Sequence, residues 1–186
     1  MILKYSFSVL IVLVCLVGCQ EEEPLPKPKA QLRLEYVLGN DKKVETSNFE
    51  FLYNDNALID KKKDNSFVIS YPDMKGAIFI SYKKVENNLS KLITDAERLS
   101  YEHAVKADGI HPQVFSNPEK KVHGILFEVV GNAASQSQFF ATDSTKHFIT
   151  GSLYFYTKPN YDSIYPAASY LKEDIGKIME SLKWKN

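Results

Sequence analysis

Cysteine is scarce in this chain: its 186 residues include only two, Cys15 and Cys19. Both lie within the first nineteen residues, so the rest of the chain contains no thiol. This excludes disulfide bonds, cysteine nucleophiles and cysteine-ligated zinc from any domain that the rest of the chain builds. An oxidising compartment permits disulfides but does not require them, so the absence is compatible with an exported protein.

An excess of one charge is also absent, because 23 Lys and Arg residues balance 23 Asp and Glu residues. A near-neutral protein has no bulk electrostatic field with which to attract nucleic acid or an anionic surface. The short basic run Lys61-Lys62-Lys63 does not change this, and we interpret it as a solvated loop. We therefore predict no nucleic-acid partner.

A long apolar run occurs at the N-terminus, where residues 7–17 follow Lys4 and lead to Gly18 and Cys19. That order of charge, apolar segment and small residues is typical of a secretory signal peptide, and Leu16-Val17-Gly18-Cys19 matches the lipobox of bacterial lipoproteins. The run is too short for a comfortable transmembrane helix, which needs about 20 residues. We predict that residues 1–18 are a lipoprotein signal peptide and that acyl chains such as palmitate attach Cys19 to a membrane.

Residues 19–31 have the composition of a tether. Three acidic residues, Glu21 to Glu23, precede alternating prolines at positions 24, 26 and 28, which hold the backbone near polyproline II. The simpler interpretation is a spacer between the lipid and a folded domain. Alternatively, the acidic cluster is a sorting mark, because it resembles the export signal of surface-exposed lipoproteins in the Bacteroidetes group.

Beyond the tether, alternation of apolar and polar residues predicts a series of β-strands. The predicted strands cover residues 32–36, 49–53, 66–71, 77–85, 121–130, 138–142 and 147–156. The last two are expected to form a hairpin around a polar turn. High aromatic content, 12% of the chain, favours such a β-rich core over a helical bundle.

Apolar residues at spacings of three and four predict two helices. The first begins after Asn88 as its N-cap and ends at Gly109, with Leu99 on its apolar stripe. The second covers residues 162–182, and Pro166 is tolerated because it falls in the predicted first turn.

The order of these elements predicts one α+β domain over residues 32–186. Each helix has a single apolar stripe, so we expect a mainly antiparallel sheet covered by the two helices. The β-β-β-α-β-β-β-α order is similar to that of the Mog1/PsbP-like α-β-α sandwich.

No catalytic motif is visible: the sequence lacks a Gly-x-Ser-x-Gly elbow, a Walker loop, His-Glu-x-x-His and a dinucleotide-binding glycine fingerprint. A metal cluster of Glu102, His103, Asp108 and His111 is conceivable. We prefer to interpret His103 as a residue at the core edge and His111 as a loop residue beside Pro112. We predict no metal and no cofactor.

Residues with serine-triad side chains, Asp143, Ser144 and His147, span a tight hairpin. A nucleophile and its base need convergent side chains, and turn chemistry explains Asp and Ser there equally well. We interpret His147 and His123 as ordinary residues at the start of strands, and we predict no catalytic residue.

Two segments are candidates for partner contact. The first is a run of small residues, Gly131, Asn132, Ala133, Ala134 and Ser135, which permits close approach of a partner or simply makes a tight connection. The second is the polar turn formed by Asp143, Ser144, Thr145 and Lys146.

Segments spread over the chain carry a resemblance to one known family. They include Leu32-Arg33-Leu34-Glu35-Tyr36, Gly131-Asn132-Ala133-Ala134-Ser135, Thr142-Asp143-Ser144-Thr145-Lys146-His147-Phe148, Gly151-Ser152-Leu153-Tyr154-Phe155-Tyr156 and Glu180-Ser181-Leu182-Lys183-Trp184. Together and in this order they resemble the GldD-type gliding-motility lipoproteins of Bacteroidetes.

The resemblance implies an envelope component required for gliding and for the linked type IX secretion system. Such a protein would act as an accessory factor that stabilises other gliding and secretion proteins, and not as an enzyme. Residue 20 is Gln and not the aspartate that often retains lipoproteins in the inner membrane. We therefore expect the protein to be anchored in the outer membrane, facing the periplasm. The alternative is a periplasmic enzyme or ligand-binding domain acting on cell-wall fragments, which predicts a deep pocket with convergent polar groups.

Overall fold

The computed structural model describes residues 39–62, 64–102, 107–158 and 160–185. The predicted signal peptide, Cys19, the tether and the predicted strand 32–36 lie outside the described residues, as do Lys63 and His103. None of the helices in the described ranges has the length and apolar character that crossing a bilayer demands.

The described residues form ten strands, two α-helices and one 3₁₀ turn. In chain order these are β1 (Asp41–Glu45), β2 (Phe49–Asn54), β3 (Leu58–Lys61), β4 (Phe67–Tyr71), the 3₁₀ turn (Pro72–Met74), β5 (Gly76–Lys84), α1 (Leu89–Glu102), β6 (Gly109–Asn117), β7 (Val122–Val130), β8 (Ser135–Thr142), β9 (His147–Phe155), α2 (Tyr161–Ser181) and β10 (Lys183–Trp184).

Seven strands form one sheet in the order β3-β4-β5-β9-β8-β7-β6, and the others form a smaller sheet in the order β1-β2-β10. All neighbouring strands in both sheets are antiparallel. The central pair β5 and β9 is in register from Gly76 opposite Phe155 to Lys84 opposite His147. The fold class is therefore α+β with a mainly antiparallel sheet, which confirms the class predicted from the sequence.

The two helices cover opposite faces of the seven-stranded sheet. Successive residues of a strand point to opposite faces, and Phe139 and Phe140 of β8 belong to different core clusters. Phe139 lies in the cluster that contains Leu171 of α2, whereas Phe140 lies in the cluster that contains Leu92 of α1. The layers are thus helix, sheet and helix.

The structure confirms two helices close to the predicted positions, with local differences. Gly109 does not end α1 as predicted, because it is the first residue of β6, and Ala107 and Asp108 before it are not helical. On α1, Leu99 was expected in the apolar stripe but is 43% exposed, whereas Ser100 is buried and its hydroxyl donates to Gln138 Oε1 over 3.3 Å. On α2, the first residue is Tyr161, so Pro166 is the sixth helical residue and not part of the first turn as predicted. The predicted apolar stripe of α2 is buried, and Leu171 and Ile175 are 0% exposed.

The sequence pattern missed four strands: β1, β3, β6 and β10. In β1 and β3 charged residues interrupt the apolar alternation, as in Asp41-Lys42-Lys43, and β10 has only two residues. Pro112 lies within β6, so the prediction that His111 belongs to a loop is wrong. Five described strands precede α1 and four separate the helices, which differs from the predicted strand order. The similarity to the Mog1/PsbP-like sandwich stays a prediction.

The smaller sheet packs on the α2 side of the large sheet. Phe49 and Phe51 of β2 both make edge-on ring contacts with Phe67 of β4, with centroid distances of 6.0 and 5.8 Å. The backbone N–H of Leu52 donates to the Ser181 hydroxyl at the end of α2 over 2.9 Å. These aromatic and polar contacts fix the small sheet against both the large sheet and the helix.

A buried carboxylate links α2 to β2 and β4. Asp174 is 7% exposed and accepts a hydrogen bond from the Tyr71 hydroxyl over 2.8 Å and one from Asn54 Nδ2 over 3.3 Å. Burial raises the pKa of Asp174 above its ordinary value, although both hydrogen bonds oppose that rise. The folded protein therefore binds a proton on this side chain more readily than the unfolded chain does.

We predict that Asp174→Asn becomes more stable relative to wild type as the pH rises. Between the unfolded pKa of Asp, about 3.8, and the higher folded pKa, the native wild-type protein binds more protons than the unfolded chain, so its stability falls with rising pH. Asparagine does not titrate. Urea denaturation of both proteins from pH 3.5 upward measures the difference, and a difference independent of pH would contradict the prediction.

Asp174→Ala is the control that shows how much stability the hydrogen bonds of this side chain contribute. It removes the acceptor from the buried Tyr71 hydroxyl, which costs about 1–3 kcal/mol of stability for an unsatisfied buried group.

Candidate contact surfaces

The first candidate segment is a tight turn between β7 and β8, formed by residues 131–134, with Ser135 already in β8. Gly131 has a φ of +106°, a backbone conformation that side chains disfavour. A Cβ atom there would lie 2.7 Å from the backbone nitrogen of Asp108. That nitrogen donates to the carbonyl oxygen of Val130 over 2.8 Å. Glycine at this position therefore lets Asp108, the residue just before β6, approach the turn closely.

Side-chain hydrogen bonds hold the β7–β8 turn in place. Gln136 Nε2 donates to the carbonyl oxygens of Gly131, over 3.2 Å, and Ala133, over 3.0 Å. Asn132 Oδ1 accepts from the backbone N–H of Tyr161 over 2.8 Å, which satisfies a free donor at the first residue of α2. The turn thus connects the seven-stranded sheet to the start of α2 through a hydrogen bond.

Only part of the β7–β8 turn is accessible to a partner. Gly131, Ala133 and Ser135 are buried, and Ala133 is 2% exposed. Asn132 and Ala134 are exposed. Direct contact from this predicted segment is therefore confined to Asn132 and Ala134, and a large side chain at position 133 would disturb the fold.

A small polar cleft lies beside this turn. Glu128 and Lys172 form an ion pair of 2.8 Å, and the rings of Tyr161 and Tyr165 have centroids 5.4 Å apart. Gln136 Oε1 is buried here without a hydrogen-bond partner. The cavity that these residues line has a volume of about 10 Å³, which is the space of one water molecule. It is far too small for a cell-wall fragment.

The second candidate segment is the turn between β8 and β9, formed by Asp143, Ser144, Thr145 and Lys146. Asp143 Oδ1 accepts from the backbone N–H groups of Thr145, Lys146 and His147 over 2.8–3.0 Å. Partial burial opposes ionisation of Asp143, but these bonds outweigh it and lower its pKa. Ser144, Thr145 and Lys146 are exposed, so a rigid loop presents them to solvent.

The two candidate turns lie at opposite ends of β8 and do not form one site. Strand β8 has eight residues, which at about 3.3 Å per residue separate the turns by roughly 26 Å. The β7–β8 turn contacts the start of α2, whereas the β8–β9 turn lies beside the start of α1, where Ser144 and Thr145 line a groove with Asn88.

His147 is not the ordinary strand residue that the sequence indicated. It is 7% exposed, its ring stacks on Trp184 at a centroid distance of 5.3 Å, and Nδ1 lies 2.9 Å from the Tyr82 hydroxyl. Burial lowers the pKa of His147, while Asp143 acts in the opposite direction. The Trp184 indole N–H donates to the Lys121 carbonyl over 2.9 Å, so the imidazole is held between fixed neighbours.

We predict that protonation of His147 destabilises the domain. Its folded pKa lies below the unfolded value of about 6.5, so the stability contributed by the neutral ring is present above pH 6.5 and is lost as the pH falls through the folded pKa. His147→Phe retains a ring beside Trp184 but cannot be protonated. Thermal denaturation of both proteins between pH 5 and 8 should show wild type losing stability relative to the variant on acidification; parallel curves would rule this out.

The described residues form neither the metal cluster nor the serine triad that the sequence analysis considered. In those ranges, no group of three or more His, Cys, Asp or Glu side chains is placed to hold a metal ion. His111 lies in β6, and His103 is outside the described residues. Asp143 accepts the backbone N–H of His147, while the His147 ring faces Tyr82, so the arrangement is not that of a serine triad.

Comparison with known proteins identifies the family. No match was found among curated proteins. The profile of the family described as gliding motility lipoprotein GldD matches residues 21–184, which include every described strand and helix. Family membership implies a role in gliding motility and a lipid-anchored place in the cell envelope. This chain belongs to the gliding motility lipoprotein GldD family.

Proposed function

We propose that this protein is an accessory component of gliding and of the linked type IX secretion system, which acts by binding and stabilising other envelope proteins and not by catalysis. The observation that carries the proposal is the family match over residues 21–184. The layering of one helix on each sheet face also supports an architecture similar to the Mog1/PsbP-like sandwich.

The proposed mechanism is presentation of rigid turns to partner proteins. Asp143 fixes the β8–β9 turn through three backbone N–H groups, and Gln136 fixes the β7–β8 turn through two carbonyl groups. A preorganised loop loses little conformational entropy on binding, which favours affinity. Ala134 at one end of β8, and Ser144 with Thr145 at the other, are the proposed contacts.

The proposed location follows from the N-terminal sequence. Residues 1–18 would be removed as a signal peptide, and lipid on Cys19 would hold the domain at the outer membrane, facing the periplasm. Residues 19–31 would separate the lipid from the domain at 32–186, so that the turns can reach partners away from the membrane surface.

Deletion of the gene, followed by measurement of gliding and of release of a type IX cargo protein, tests the proposed function. We expect both to be lost and to be restored by the wild-type copy. Normal cargo release in the deletion strain would remove the secretion role, and normal gliding would remove the motility role.

The same strain tests the β7–β8 turn. We expect Ala134→Arg to weaken partner capture about tenfold, equal to about 1.4 kcal/mol, and to fail in restoring cargo release. Ser81→Arg is the matched control, because Ser81 is also exposed but lies in β5, away from both turns. Immunoblots must show equal amounts of both variants. Full restoration by Ala134→Arg would exclude this turn as the contact.

A further inference from the structure

Among the strands that the structure describes, the two edges of the seven-stranded sheet differ in how they are protected. An edge strand exposes unpaired backbone N–H and C=O groups, and natural proteins guard such edges by short strands, charges or proline. Edge strand β3 has four residues and carries Asp60 and Lys61. It is therefore short and charged, and poorly suited to pair with another strand.

Edge strand β6 lacks most of this protection. It has nine residues, Gly-Ile-His-Pro-Gln-Val-Phe-Ser-Asn, and none is Asp, Glu, Lys or Arg. Four successive residues at its centre, positions 111–114, are exposed. Val114 is 84% exposed, which is unusual for an aliphatic strand residue, and Pro112 is the one residue there that blocks a backbone hydrogen bond.

We propose that β6 pairs antiparallel with β6 of a second copy of this chain. Pairing over the full nine residues places the two-fold axis at the middle residue, Gln113. Each Val114 then lies opposite Pro112 of the other copy, and the two Gln113 residues face each other. The two seven-stranded sheets become one continuous sheet, and the backbone groups at each β6 edge gain partners, except where Pro112 has no N–H to donate.

Self-pairing is favoured by the absence of charge on β6. A two-fold axis brings each strand against its own sequence, so a strand with charges of one sign would place like charges close together. Edge strand β1 carries charges of both signs, but pairing with itself about its middle residue would still place Lys43 opposite Lys43 and Asp41 opposite Glu45. Strand β6 carries no such penalty. The pairing also makes the Val114–Pro112 contact twice and removes two largely exposed valine side chains from water.

The apolar surface extends beyond the strand itself. Val114 lies at a groove of about 320 Å³ that is also lined by Ile93 of α1 and Phe140 of β8. A second copy at the β6 edge would cover the rim of this groove. The inference does not depend on the proposed function, because it uses only the edge of the sheet.

Cysteine crosslinking in membranes tests the pairing with the full-length protein. Residues directly opposite in an antiparallel pair have Cα atoms about 4.5–5.5 Å apart, which is within the range of a disulfide. Gln113→Cys should therefore form a covalent dimer on mild oxidation, seen on a non-reducing gel at twice the monomer mass. The wild-type chain controls for Cys15 and Cys19, and Leu58→Cys, on the charged edge β3, is the matched control.

A second substitution shows whether the edge itself makes the dimer. Adding Val114→Lys to Gln113→Cys places a charge at the centre of the edge, and we expect about tenfold less dimer. Because Val114 is 84% exposed, the substitution should leave the thermal stability of the monomer unchanged. A dimer that forms equally when Val114→Lys is present, or equally from Leu58→Cys, would overturn the proposal. So would an exclusively monomeric Gln113→Cys protein, or its crosslinking to a different protein.

Discussion

Burial of strand β8 on both faces is the constraint on which the rest of the structure depends. All eight of its residues are buried, between β7 on one side and β9 on the other. Phe139 is buried on the α2 side of the sheet and Phe140 on the α1 side. Because both side chains must be shielded from water, the two helices have to pack on opposite faces. It also fixes the two candidate turns, because each is the connection that leaves one end of this strand.

Much of the fold follows from sequence pattern, and its failures have physical causes. Strands with an apolar face, such as β5 with Ile78 and Ile80, are predicted because one side packs on the core. Strands β1, β3 and β6 lie at sheet edges, where pairing requires only backbone groups and leaves the side chains free to be charged or proline. The start of β8 was missed because Gln136 and Ser137 are polar, although the sheet and α2 bury them.

The two candidate turns were also only partly predictable from the sequence. Small residues at 131–135 were compatible with a tight connection or with close approach of a partner, and the structure shows a tight turn there in which Gly131 has a positive φ and a close backbone neighbour. Burial could not be read from composition: Ala133 faces inward while Ala134 faces solvent. The environment of His147 depends on Tyr82 and Trp184, which are distant in sequence, and no local pattern reveals such a contact. The family resemblance, which uses the order of many segments, was the stronger guide to function.

The smaller sheet joins strands from the two ends of the described chain, since β10 pairs with β2 and Trp184 lies opposite Phe49. Leu182, just before β10, is 0% exposed, so the core is incomplete until these last strand residues arrive. Contacts between residues so far apart in sequence make folding slow, because a large loop must close first. Pairing of β10 with β2 is therefore expected to be a late step in folding.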